Sequence, residues 1–293
     1  MRIVDLWKSG KKPTIAFELF PAKTPKAEEN LAKTIDTLAG IQPDFATVTF
    51  GAGGSTRDGS RNLADRLKRE KRLEVVAYFA GFGLGPREIA SVLEGYAALG
   101  VENILVVRGD PPRDPDFRPQ PDSFSYASEL LAFIRPRFSF CLGAAGYPEG
   151  HVQAPDLEHD LDFLKRKVDA GAEFILTNYF YDNRFFFHYV DRCRARGITV
   201  PIIPGVMPVY SAKMTETLAA TCGASIPDSL RKSLAELPAE DKPAALNFGI
   251  EFAERQCREL LAAGVPGLLF YSMDRWESVV EIVRRLRGNG VLP

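Results

Sequence analysis

The sequence predicts an α/β chain folded as a (β/α)8 TIM barrel, one domain spanning residues 1–293. Three observations carry that expectation. Eight short apolar runs, rich in β-branched and aromatic residues, alternate with longer stretches whose apolar residues recur at helical spacing. The short runs are continuous rather than apolar-polar alternations, the pattern of strands covered on both faces. No shift in composition and no long linker divides the chain, and its length suits one such barrel.

The strand runs are TIAFELF (14–20), FATVTF (45–50), EVVAYFA (74–80), NILVVRG (103–109), FSFCLGAAG (138–146), EFILTNYF (173–180), VPIIPG (200–205) and GLLFYS (267–272). Between them lie AEENLAKTIDTLAG, SRNLADRLKREK, PREIASVLEGYAALG, YASELLAFIR, DLEHDLDFLKRKVDAG and NRFFFHYVDRCRARG, with Leu, Ala and Val at helical period. Several end at a glycine just before the next strand, a stop signal for helices. On DLEHDLDFLKRKVDAG, Leu157, Leu161, Leu164 and Val168 form the expected buried stripe, which leaves Asp160 and Lys167 the bland reading of a solvated flank. The stretch 210–266 is long enough for an extra helix besides the regular one, so a helical insertion is expected between strands seven and eight.

Composition excludes several classes of function. A net charge of -1 argues against a nucleic-acid or membrane-surface partner. No apolar run resembles a signal peptide or spans a bilayer, so a cytoplasmic protein is expected. Four scattered cysteines without a CxxC pair read as reduced structural thiols. Three histidines, with His151 and His159 off helical i, i+4 spacing, argue against a zinc site, and no metal is expected.

In a barrel of this kind the site forms where the strands end at their C-termini. Those ends carry Glu18, Thr49, Tyr78, Arg108-Gly109-Asp110, Tyr147-Pro148-Glu149, Asn178 and Tyr271, with Asp274 and Arg275 shortly after. Individually most have ordinary explanations. GAGGST (51–56) and GFGLGP (81–86) fit neither phosphate-loop spacing and read first as turns. Arg108 and Asp110 can simply pair at the rim. Glu18 is harder to dismiss, because an acid inside an apolar strand needs a partner or a chemical task. Too few strand-end carboxylates suit a retaining glycosidase, and no strand-end lysine is present to form a Schiff base.

Taken in order, FELFPAKT, VTFGAGGSTRD, VVRGDPP, YASEL, GYPEGH, LKRKVDAGAEFILTNYFYD, IIPGVMP and FYSMDR resemble the methylenetetrahydrofolate reductase family, from about residue 14 to 276. The resemblance implies reduction of 5,10-methylenetetrahydrofolate to 5-methyltetrahydrofolate by a ping-pong cycle using FAD and NADH or NADPH. It implies Glu18 as the catalytic acid that opens the methylene bridge, with Phe17, Leu19 and Phe20 expected to give it an apolar setting. Asp110 would lie beside flavin and folate. Thr49, Tyr78, Arg108, Gly109, Asp110, Tyr126, Ala127, Tyr147, His151, Asp160, Arg166 and Lys167 would line the FAD, and Asn178, Tyr271 and Arg275 would join Glu18 and Asp110 at the folate. The pattern departs from the family's at four places: Tyr78 stands for a histidine, Asn178 for a glutamine, Phe163 for an asparagine, and Ala212, with Tyr210 close by, for a phenylalanine. Two other readings stay open: a flavin-free reductase taking hydride directly from NADH, and a folate- and flavin-binding subunit needing an electron-delivering partner. The resemblance also implies a homo-oligomer. No segment resembles the regulatory domain of eukaryotic forms, so inhibition by S-adenosylmethionine is not expected.

Overall fold

Eight parallel strands close on themselves in chain order: β1 (Thr14–Leu19), β2 (Phe45–Val48), β3 (Glu74–Ala80), β4 (Asn103–Val107), β5 (Cys141–Gly146), β6 (Phe174–Tyr179), β7 (Ile202–Val206) and β8 (Gly267–Tyr271). β1 pairs with β2 on one side and with β8 on the other, which completes the barrel. The computed structural model describes residues 1–8, 12–50, 57–112, 114–237, 242–273 and 275–292. GAGGST (51–56) and Asp274 therefore lie outside the described residues.

Helices follow the strands: α2 (Pro25–Gly40), α3 (Arg57–Lys71), α4 (Pro86–Ala98), α5 (Ala127–Ile134), α6 (Leu157–Asp169), α7 (Asn183–Ala195) and, after β8, α11 (Trp276–Gly288). Gly100 and Gly171, just past α4 and α6, have φ of +71° and +114°, conformations that only glycine adopts without strain. Among the described residues the β7–β8 connection holds three helices, α8 (Ala212–Cys222), α9 (Asp228–Glu236) and α10 (Lys242–Ala262), one more than expected. The stripe on α6 also differs from expectation. Leu161 and Leu164 are buried, but Leu157 is 41% exposed, because the first turn of α6 overhangs the loop at Gly150 instead of the sheet.

Alternation along the strands builds two cores. Phe17 and Leu19 face outward into a layer shared with Leu31, Ile35 and Leu38 of α2. Ala16, Phe45, Val76, Leu105, Phe174, Leu176, Ile203 and Leu269 fill the interior. The interior is tight at Gly143, where an added Cβ would lie 2.2 Å from the Phe174 ring. Gly143→Ala is expected to lower stability by about 1–3 kcal/mol through overpacking, read as an earlier thermal melt.

A further helix, α1 (Val4–Lys8), precedes the barrel and closes its N-terminal end. Ile3 and Val4 join the interior core, and Trp7 packs 6.2 Å from Phe45 and 6.0 Å from Phe174 between ring centroids. Ile3 N–H donates to Asn103 Oδ1 at 2.8 Å, and Arg2 pairs with Glu173. Among the described residues no helix is long and apolar enough to cross a membrane.

Candidate active site at the C-terminal mouth of the barrel

The ends of β4 and β5, the start of α5 and one face of α6 enclose a cavity of about 630 Å3. Nine residues singled out from the sequence line it: Arg108, Gly109, Asp110, Tyr126, Ala127, Tyr147, His151, Asp160 and Lys167. Its size falls in the ordinary range for cofactor sites. Phe163 and Gln153 line it as well. Thr49, Tyr78 and Arg166 do not. Thr49 closes β2 by donating its N–H to Leu19 O at 3.1 Å, and Arg166 stands over the outer face of Phe163, 5.4 Å from the ring centroid. Phe163 in turn stacks on Tyr126, with centroids 6.1 Å apart and rings 17° from parallel.

The cavity wall is electrostatically loaded. Lys167 Nζ donates to Ala145 O at 2.6 Å and lies 5.8 Å from the centre of the Tyr147 ring. Burial pushes its pKa down to about 8, against the pull of Asp160. Asp160 is only 7% exposed; burial raises its carboxyl, while Lys167 and the backbone N–H of His151 favour its charge. The solvated-flank reading of these two residues is therefore overturned: both face inward, toward β5. His151 is held below its ordinary pKa by burial, then by Arg108 and Lys167, so its ring is neutral at neutral pH. The backbone N–H of Gln153 donates to His151 Nδ1 at 3.1 Å, which puts the ring hydrogen on Nε2. The Gln153 side chain accepts from Arg108 at 2.8 Å, so one residue orients both Arg108 and His151. Arg108 and Asp110 stand 3.9 Å apart, beyond hydrogen-bond reach, and Asp110 is 83% exposed at the lip. The rim-pair reading accounts for little of this arrangement.

Glu18 occupies the opposite side of the mouth and is 5% exposed. Its chain neighbours do not supply its setting, contrary to expectation, because Phe17 and Leu19 point to the other face of the strand. Two phenols supply it instead. Tyr78 of β3 and Tyr271, which is paired with Glu18 in the β1–β8 register, both lie within reach of its charge. Burial and then Glu18 hold both phenols well above the usual range, so both stay neutral. Tyr271 also feels Tyr147 across the mouth and links the two halves of the site.

An irregularity in β6 places the remaining groups. The β6–β7 register shifts between Leu176 and Tyr179, freeing Thr177 and Asn178 from regular pairing. Thr177 O accepts from the Tyr271 hydroxyl at 2.8 Å, and Thr177 Oγ1 accepts from Gly205 N at 3.0 Å. Gly205 has no room for a side chain, since a Cβ would lie 2.4 Å from the Tyr271 ring. Asn178 spends one amide hydrogen on Cys222 O at 3.1 Å, leaving its oxygen and second hydrogen for a ligand. Arg275 is exposed and lies over Tyr210, 5.2 Å from the ring centre, and Tyr210 itself is buried with its hydroxyl on Ser272 O. GFGLGP does not line the cavity; it anchors the 117–120 segment, with Gln120 N donating to Gly83 O at 3.0 Å.

Thr177 and Gln153 carry no signal that separates them from ordinary strand and loop residues, and sequence reasoning had assigned neither a role, while Phe163 entered only as a departure from the family's pattern. A bulge and a loop turn bring the first two into place, and only three-dimensional proximity shows it.

The chain is similar to known proteins over most of its length. The family model described as methylenetetrahydrofolate reductase matches residues 2–287. Methylenetetrahydrofolate reductase (NADH) 1 of Arabidopsis thaliana is 35% identical over 98% of this chain and 51% of its own length. The chain thus spans about half the length of that relative. The 5,10-methylenetetrahydrofolate reductase of Pectobacterium carotovorum subsp. carotovorum is 30% identical, over 95% of this chain and 91% of its own. Among solved structures, an uncharacterized Clostridium thermocellum protein that binds two copies of 5-methyl-5,6,7,8-tetrahydrofolic acid superposes with a TM-score of 0.65. It is 16% identical and the match covers 97% of this chain and 99% of that one, a likeness of fold. With a family match over nearly the whole chain and a relative of which the match covers 91%, the chain belongs to the methylenetetrahydrofolate reductase family.

Proposed function

We propose that this chain reduces 5,10-methylenetetrahydrofolate to 5-methyltetrahydrofolate, drawing electrons from NADH or NADPH through FAD held in the cavity. One observation carries the reading: a cavity lined by half-buried cations, Arg108 and Lys167, and a buried carboxylic acid, Glu18, share a single barrel mouth. The names of the relatives and the folate in the C. thermocellum structure support the same substrate class.

The donor set fits FAD. Lys167 has N–H groups beyond the one given to Ala145, and with Arg108 it offers positive charge to a diphosphate. Tyr147 and the Tyr126–Phe163 stack offer aromatic surface for planar rings. When bound, FAD supplies a ring that takes up a hydride from the nucleotide and releases it to folate. The protein's own chemistry is proton delivery and placement. Glu18 gives its proton to the bridge nitrogen, the carbon–nitrogen bond of the methylene bridge breaks, and the resulting iminium carbon becomes the methyl group on receiving hydride. Asn178 would offer an oxygen and an N–H to the pterin, and Asp110, exposed at the lip 3.9 Å from Arg108, would stand beside the bound rings.

The test is the spectrum of the purified full chain. It is expected to be yellow, to bleach under anaerobic NADH or NADPH, and to recover its colour on adding methylenetetrahydrofolate. Folate reduction by a colourless protein would instead support direct transfer from the nucleotide. Yellow protein that neither nucleotide bleaches would point to a separate electron-delivering subunit.

A further inference from the structure

We infer that Glu149 is a positioning residue for the folate side of the mouth: acting through the backbone between Cys222 and Ser225, it fixes the carbonyl that orients the Asn178 amide. The inference rests on the proposed place of Asn178 at the pterin.

The end of α8 and the turn after it run from one half of the site to the other. At β6, Asn178 Nδ2 donates to Cys222 O at 3.1 Å. At the far side of the turn, the backbone N–H of Ser225 is shared between both oxygens of Glu149, at 3.1 and 3.0 Å. Glu149 lies 76 residues away in sequence, in the loop that carries Tyr147 and His151 to the cavity. A third contact lies between these two bonds. Gly223 caps α8 with φ of +73°, and an added Cβ there would meet Val152 Cγ1, in the same loop, at 2.7 Å.

The helix closes its own end with the N–H groups of Gly223 and Ala224, both given to Ala219 O. Ser225 N–H is the next along the turn, and it is satisfied from outside the helix, by a carboxylate. A hydrogen bond to a charged acceptor is stronger than one to a neutral group. Asn178 is where that anchoring matters. A side-chain amide can turn end for end, exchanging oxygen and nitrogen, unless a neighbour tells them apart. A carbonyl accepts and cannot donate, so Cys222 O selects the orientation with Nδ2 toward α8 and Oδ1 away from it. That selection lasts while Cys222 O stays in place, and Glu149 ties the turn that holds it to the β5–α6 loop.

The test reads the amide and the reaction separately. The side-chain amide NMR signals of Asn178, assigned in the isotope-labelled full chain by their loss from Asn178→Ala, should shift or broaden in Glu149→Ala. They should return in Glu149→Gln, which keeps an acceptor oxygen. In stopped flow, Glu149→Ala should raise the methylenetetrahydrofolate concentration that half-saturates flavin reoxidation by about 3- to 10-fold, the worth of one ordinary hydrogen bond. The limiting rate, flavin reduction by nucleotide and the melting temperature should stay near wild type. With Asn178→Ala already present, Glu149→Ala should add nothing further, because no amide is left to orient. Unmoved Asn178 signals, losses that simply multiply in the double variant, or both half-reactions slowed together with an earlier melt would overturn the inference. Shifted signals with unchanged folate saturation would instead leave the positioning by Glu149 standing and remove Asn178 from the pterin.

Discussion

Glu18→Gln is expected to cut folate-driven reoxidation of the reduced flavin by about 10²–10⁴-fold while leaving reduction by the nucleotide near the wild-type rate. The split follows from the order of the chemistry. Hydride transfer from nucleotide to flavin consumes no acid, whereas opening the methylene bridge does. The amide keeps the shape of the carboxyl and its ability to accept a hydrogen bond, so flavin content and melting temperature should change little. If Glu18 served only to hold the strands together, its loss would cost about 3–5 kcal/mol and slow both halves of the cycle alike. Stopped-flow traces of the two half-reactions, with a melting curve on the same sample, separate these outcomes.

The second large effect is expected at Lys167. Lys167→Met keeps the length of the side chain and removes the ammonium that faces the cavity. Loss of one partner from a buried charged contact costs about 2–5 kcal/mol, which corresponds to roughly 30- to 4,000-fold in FAD dissociation constant. Asp160 would lose its cation and take up a proton more readily, since burial already raises its carboxyl and Lys167 is the main force opposing that rise. The pH dependence has a definite sign. Lys167 titrates near pH 8 because burial disfavours its charge, and an anionic diphosphate favours it. FAD affinity of the apoprotein should therefore be flat below that pH and fall as pH rises through it, by up to about tenfold per unit. Lys167→Met should lose this fall together with the affinity. A fluorescence titration of FAD at several pH values reads both, and an unchanged slope in the variant would place the anion elsewhere.

The barrel was legible because its strands are buried on both sides. Continuous apolar runs such as EVVAYFA and GLLFYS mark such strands plainly, and the glycines after α4 and α6 mark where helices stop. The five-residue α1 was not legible, being too short to show any period. Its place is set by contacts with residues about a hundred positions away, such as Asn103. The strand-end rule brought Arg108, Gly109, Asp110 and Tyr147 to one cavity, and the family resemblance added Tyr126, Ala127, His151, Asp160 and Lys167. The rule went astray where a strand's phase is known but its stagger is not. Inward phase puts Glu18 and Tyr78 on the same face of their strands, yet which residues touch depends on how far each strand slides past the next. The same ignorance hid Thr177, whose contacts exist only because β6 slips by its bulge.

Trp7, wedged between Phe45 and Phe174, has a consequence for traffic. With a packed interior and a stopper at the far end, the described residues leave the C-terminal mouth as the way in. On the proposed cycle, nucleotide and folate would arrive and depart across that threshold, which Glu18 borders on one side and Lys167 on the other. The helix farthest from the chemistry serves it by keeping the opposite end shut.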